Sequence, residues 1–98
     1  MARYLIMWEM DPAKIPQNPK ERAQLWSPMV QMVRDSMKSG MTKDWGSFLG
    51  ETRGYSVGEG TEVELAKMLQ QYVPFVRFTT HPILTLDDNA KMMEDMAK

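Results

Sequence analysis

The chain has 98 residues, with 12 Lys and Arg against 13 Asp and Glu and a net charge of -1, so no overall electrostatic attraction draws it to nucleic acid or anionic lipid. It has no cysteine, which excludes disulfides, thiolate zinc sites and cysteine nucleophiles. Hydrophobic residues at 43% and charged residues at 26% are globular values, and no apolar run approaches the roughly 20 residues that cross a bilayer. The N-terminal apolar stretch meets Glu9 and Asp11 too soon for a signal peptide. One soluble domain over residues 1–98, in the cytoplasm and without a membrane or nucleic-acid partner, is the expectation.

Residues 3–9 are a nearly continuous apolar and aromatic run, the pattern of a strand covered on both faces, so β1 is predicted to be central. The prolines and turn-forming side chains of residues 11–18 make a loop. Asn18 supplies an N-cap, with Pro19 at the first helical position and Glu21 placed for a capping box. Helix α1 follows from Pro19 to a stop at Gly40, with Leu25, Trp26, Met29, Val30, Met32, Val33 and Met37 on one apolar stripe. Pro28 has no N–H and its ring crowds the Gln24 carbonyl, which predicts a kink, or a restart of the helix at Ser27.

Strands β2 (43–49) and β3 (54–59) read as a hairpin around Gly50-Glu51-Thr52-Arg53. Thr61 and Glu64 form a capping box for helix α2, whose apolar positions Val63, Leu65, Met68, Leu69 and Tyr72 precede a stop at Pro74. Strand β4 covers 75–81, and Pro82 after it suits a sheet edge. Thr85 caps helix α3 (86–97), with a stripe of Leu86, Ala90, Met93 and Ala97 and with Met92 and Met96 beside it.

The order βαββαβ with right-handed crossovers gives a ferredoxin-like α+β domain, an antiparallel sheet in the order 4-1-3-2 with α1 and α2 on one face. The other face of β1 is then bare and apolar, so either α3 or a second copy must cover it. A homodimer through the open sheet face is predicted. The short apolar β1, the Trp45-Gly46-Ser47-Phe48 strand leading to Arg53-Gly54-Tyr55, and the exit His81-Pro82-Ile83-Leu84 before a capped helix resemble the dimeric α+β barrel superfamily. More closely, the chain is similar to a small prokaryotic family known only as a domain of unknown function. The resemblance implies two sheets packed back to back into a barrel. It admits cofactor-independent monooxygenases, isomerases, haem-degrading enzymes and proteins with no activity, so fold does not choose the function.

His81, the only histidine, is the candidate catalytic residue, because an imidazole titrates near neutral pH. If β1 and β4 pair odd to odd, Arg77, Thr79 and His81 share a face with Glu9, Met7 and Leu5. A Glu9–Arg77 pair beside a half-exposed histidine accounts for that lane without catalysis. One histidine without a carboxylate cluster does not fill a ligand set, so no metal is predicted; no cofactor is predicted either, and haem through His81 is an option that no other residue supports.

Gly46, Gly50, Gly54 and Gly58 recur every four residues, which predicts a sheet surface that another group approaches closely. A helix or partner strand fits there, and so does a ligand cavity walled by Trp45, Phe48 and Tyr55, with Trp8 as a further wall or as core. Gly58-Glu59-Gly60 lacks the spacing and lysine of a phosphate loop, and the serines show no nucleophile elbow. The 11 methionines fall on amphipathic stripes as adaptable packing rather than as copper ligands. The predicted function is binding of a small apolar or aromatic molecule. The alternatives are a cofactor-independent enzyme of the monooxygenase or isomerase type using His81, and a structural or regulatory dimer with no ligand.

Overall fold

The computed structural model describes residues 2–98. β1 (Arg3–Met10) leads through a 3-10 turn at Pro12–Lys14 to α1 (Pro19–Lys38), then β2 (Thr42–Ser47), β3 (Arg53–Glu59), α2 (Glu62–Gln70), β4 (Val76–Ile83) and α3 (Leu86–Met96). The strands form one antiparallel sheet in the order β2-β3-β1-β4. That is the predicted order read from the opposite edge. A small α+β chain with this sheet is compatible with a ferredoxin-like fold.

The helix boundaries follow the capping chemistry. Asn18 Oδ1 accepts from the amides of Lys20 at 2.8 Å and Glu21 at 3.4 Å, the Asn18 half of the predicted box. Thr61 with Glu64, and Thr85 with Asp88, make complete reciprocal boxes. In each box the hydrogen bonds to the threonine hold the carboxyl below its usual range. α1 runs unbroken through Pro28, so no restart occurs at Ser27, whose hydroxyl instead donates to the Ala23 carbonyl at 2.7 Å. Gly40, at φ 84, takes the left-handed conformation that follows the helix end. Replacing Asn18 with Ala should lower stability by about 1 kcal/mol, read as a shifted urea midpoint at constant slope. An unmoved midpoint would show that the cap adds nothing.

Side-chain alternation along β1 divides the molecule. Ile6, Trp8 and Met10 are buried, Trp8 and Met10 under α1 residues Leu25, Trp26, Met29, Met32 and Val33, Ile6 under Leu65, Met68 and Leu69 of α2. Leu5 and Met7 point the other way, beside Val57 and Tyr55 of β3, and all four are only half-buried. Within one chain, β1 is therefore covered on one face, not two. Val63, at 70% exposure, and Val30 and Met37 turn outward from the stripes predicted for α2 and α1.

α3 does not cover the open face. No α3 residue is buried, and Leu86 and Met96 are 84% and 72% exposed. The molecule measures 60 Å along its longest axis with a radius of gyration of 16.0 Å, against about 13 Å for a compact chain of 100 residues. An eight-residue strand spans about 26 Å and the 20-residue α1 about 30 Å. The remaining length is supplied by α3 standing off the end of β4.

Candidate functional site

The candidate site lies between α1 and the helix-facing side of β1, β3 and β2, and small residues on β3 make room for it. β2 is irregular between Thr42 and Asp44, a bulge that resets its alternation. As a result Trp45 stands opposite Ser56 on the helix side, while Gly46 stands opposite Tyr55 on the open side. Trp8 is registered against Gly54. A Cβ at Gly54 would lie 2.6 Å from Trp8 Cζ2, so the glycine lets the indole cross β3 and reach Trp45. The two rings are nearly parallel, with centroids 5.3 Å apart and planes 6° apart, and Trp8 Nε1 donates to the Tyr55 carbonyl at 3.3 Å.

The helices sit on this sheet unequally. α2 presses Leu65 and Met68 into the core, whereas α1 contributes no fully buried residue. The space left under α1 is a cavity of about 290 Å³. All 3 tryptophans of the chain line it, with Tyr72 and Phe78 completing an aromatic wall, and those last two meet edge to face at 5.9 Å. Met29 and Val33 of α1 form the roof, and Val30 and Ser47, both exposed, lie at the mouth.

The cavity's polar groups are few. Ser36 Oγ donates to the Val33 carbonyl at 2.9 Å and sits 2.8 Å from Thr42 Oγ1, so these hydroxyls satisfy one another. Ser56, a buried residue, adds a hydroxyl to the lining. Burial, and secondarily the Asp35 carboxylate, pushes the Tyr72 phenol above its ordinary pKa, which keeps it neutral. Trp26 Nε1 is buried with no hydrogen-bond partner, the one such side-chain atom among the described residues. No Asp, Glu, Lys, Arg or His lines the space.

The predicted site residues divide between the two faces of the sheet. Trp8 and Trp45 belong to the cavity. Phe48 and Tyr55 lie outside it, stacked on each other at 6.4 Å, with Tyr55 Oη donating to Asp44 Oδ2 at 2.9 Å on the open face. The glycines do not form one bare surface either. Gly46 lies beneath the Tyr55 ring, Gly54 and Gly58 beneath Trp8 and Leu65 on the helix side, and Gly50 in the turn with open space around it. The close approach they allow is made by the chain's own side chains.

His81 pairs with Leu5 in the predicted odd-to-odd register, on the face away from the cavity, and is exposed on the edge strand. Arg77 is registered against Glu9, but its guanidinium reaches Asp11 instead, at 3.1 Å. Among the described residues no three His, Asp or Glu side chains converge where a metal ion could be held, and no helix is long and apolar enough to cross a membrane. Trp26 and Tyr72, read from the sequence only as apolar positions of α1 and α2, are the site residues that the pattern did not single out.

A scan against protein-family models gives no match for this chain, and a search of the curated proteins gives none either.

Proposed function

We propose that this protein binds a small apolar or aromatic molecule in the cavity under α1. The observation that carries the reading is the convergence of Trp8, Trp26 and Trp45, from three separate elements, on one space of about 290 Å³ lined almost wholly by apolar atoms. Empty apolar volume lowers stability because its lining lacks dispersion partners, so a ligand of matching shape gains what folding left unmade. The lack of charged groups in the lining favours binding over acid–base catalysis in that space.

Naphthalene tests the reading, because each tryptophan borders the space it would fill. Titration into the full chain should change the intrinsic fluorescence saturably and raise the melting temperature by mass action. Trp45→Ala should weaken binding by about 1–3 kcal/mol. A titration that moves neither signal would sink the proposal.

The second part of the proposal is a homodimer through the open sheet face, back to back as in the dimeric α+β barrel superfamily. Leu5, Met7, Tyr55 and Val57 are only half-buried on that face, and α3 buries none of its own residues against it. The α3 stripe of Leu86, Met93 and Met96 is likewise without a partner in its own chain. One association can bury both surfaces.

A further inference from the structure

Resting on the binding proposal, we infer that the molecule bound under α1 is a neutral arene bearing a hydroxyl group, and that Ser56 Oγ on the cavity floor selects for that group. Ser56 lies on the helix-facing side of β3, registered against Ile6 of β1 and Trp45 of β2. Both neighbours are apolar, and the serine is only 7% exposed. Its hydroxyl has no hydrogen-bond partner in the chain, yet it keeps some accessible surface, since Trp26 Nε1 is the one enclosed side-chain atom left unpaired among the described residues. Ser56 lines the cavity under α1 and neither of the grooves that flank α2. The accessible side of its oxygen therefore opens into the cavity.

An unpaired hydroxyl among apolar walls costs stability that an alanine would not, so the serine is accounted for by what it meets when the cavity is filled. A serine hydroxyl both donates and accepts. A ligand hydroxyl satisfies it in either sense, whereas a bare ring leaves it unpaired. Charge is disfavoured, because no Lys, Arg, His, Asp or Glu lines the space to replace the water that an ion would lose. The remaining hydroxyls of the lining are placed differently. Those of Ser36 and Thr42 bond each other, and Ser47 is exposed at the mouth, in reach of bulk water. Tyr72 Oη is also unpaired, but the Asp35 carboxylate, which is outside the lining, acts on it, so Tyr72 is the comparison and Ser56 the reader.

Naphthalene and 2-naphthol differ by one hydroxyl, and both are neutral at neutral pH. Calorimetric titration of the full chain should show saturable binding of both. Ser56→Ala should weaken 2-naphthol about five- to tenfold and naphthalene less than about twofold, the difference that one net hydrogen bond supplies. Without ligand the variant should melt no lower than the parent, because the oxygen it lacks bonds nothing in the chain. Tyr72→Phe should move the two affinities together. If Ser56→Ala weakens both probes alike, or lowers the ligand-free melting temperature while leaving the difference between the probes unchanged, the serine serves the fold, and the inference is overturned while the binding proposal stands. If Tyr72→Phe alone separates the probes, the reader is Tyr72 and the assignment to Ser56 falls. If neither probe binds the parent, the binding proposal falls and this inference with it.

Discussion

Gly54→Ala should cost about 3 kcal/mol or prevent folding, at the upper end for adding one methyl group to a packed interior. The new Cβ would collide with the Gly46 carbonyl oxygen and sit 2.6 Å from Trp8 Cζ2 and 2.7 Å from the Ser47 Cα. Two of those three atoms belong to the β2 backbone. A flexible side chain could swing aside, but a hydrogen-bonded strand cannot move without breaking the β2–β3 pairing. The variant should show a lower urea midpoint, and weaker near-ultraviolet circular dichroism as the Trp8–Trp45 stack separates. Gly50→Ala is the control. It has open space but φ of +79°, so it should lose only about 1–2 kcal/mol of backbone preference and keep the aromatic signal. A Gly54→Ala protein that melts and absorbs like the parent would show that Trp8 does not cross β3 as described.

This sensitivity was half legible in the sequence. The four-residue spacing of Gly46, Gly50, Gly54 and Gly58 marks close approaches, and three of the four are real. Spacing alone does not assign them to faces. A strand alternates with period two, but the bulge at Thr42 and Asp44 shifts the count on β2 relative to β3. Once that shift is applied, Trp45 leaves the company of Phe48 and Tyr55 and joins Trp8. Nothing in the residues of β2 announces a bulge, because the extra residue, Lys43, is as compatible with regular pairing as with none.

Elements were more legible than the distances between them. Capping residues are local chemistry, so Asn18, Thr61 and Thr85 each start a helix in the structure. The cavity is a difference between two packing depths, α2 with two buried residues and α1 with none. Such a difference depends on how Trp26, Met29 and Val33 fit against the whole sheet. The stripe on α3 was equally plain, yet an amphipathic pattern states that a face will be covered without stating by what. In this chain α3 finds no surface of its own.

The uncovered faces carry the last prediction. Met7→Asp should raise the dissociation constant of the dimer at least about 100-fold, since a carboxylate buried at an interface without a partner loses several kcal/mol of hydration. Met7 sits on the central strand between Tyr55 of β3 and Thr79 of β4, on the side away from both helices. In the separated chain Met7 is half-buried among its strand neighbours and belongs to neither core cluster, so the shorter carboxylate can reach water and the monomer should keep its fold. Aspartate is the informative substitution because lysine could lay its stem along the sheet and carry its charge to the rim. Sedimentation equilibrium across nanomolar to micromolar concentrations should give a dimer for the parent and a monomer for the variant, with superimposable far-ultraviolet circular dichroism. Dimers of equal affinity would place the interface elsewhere, with the α3 stripe the next surface to substitute, and a parent chain that stays monomeric throughout would leave the open face without the partner proposed for it.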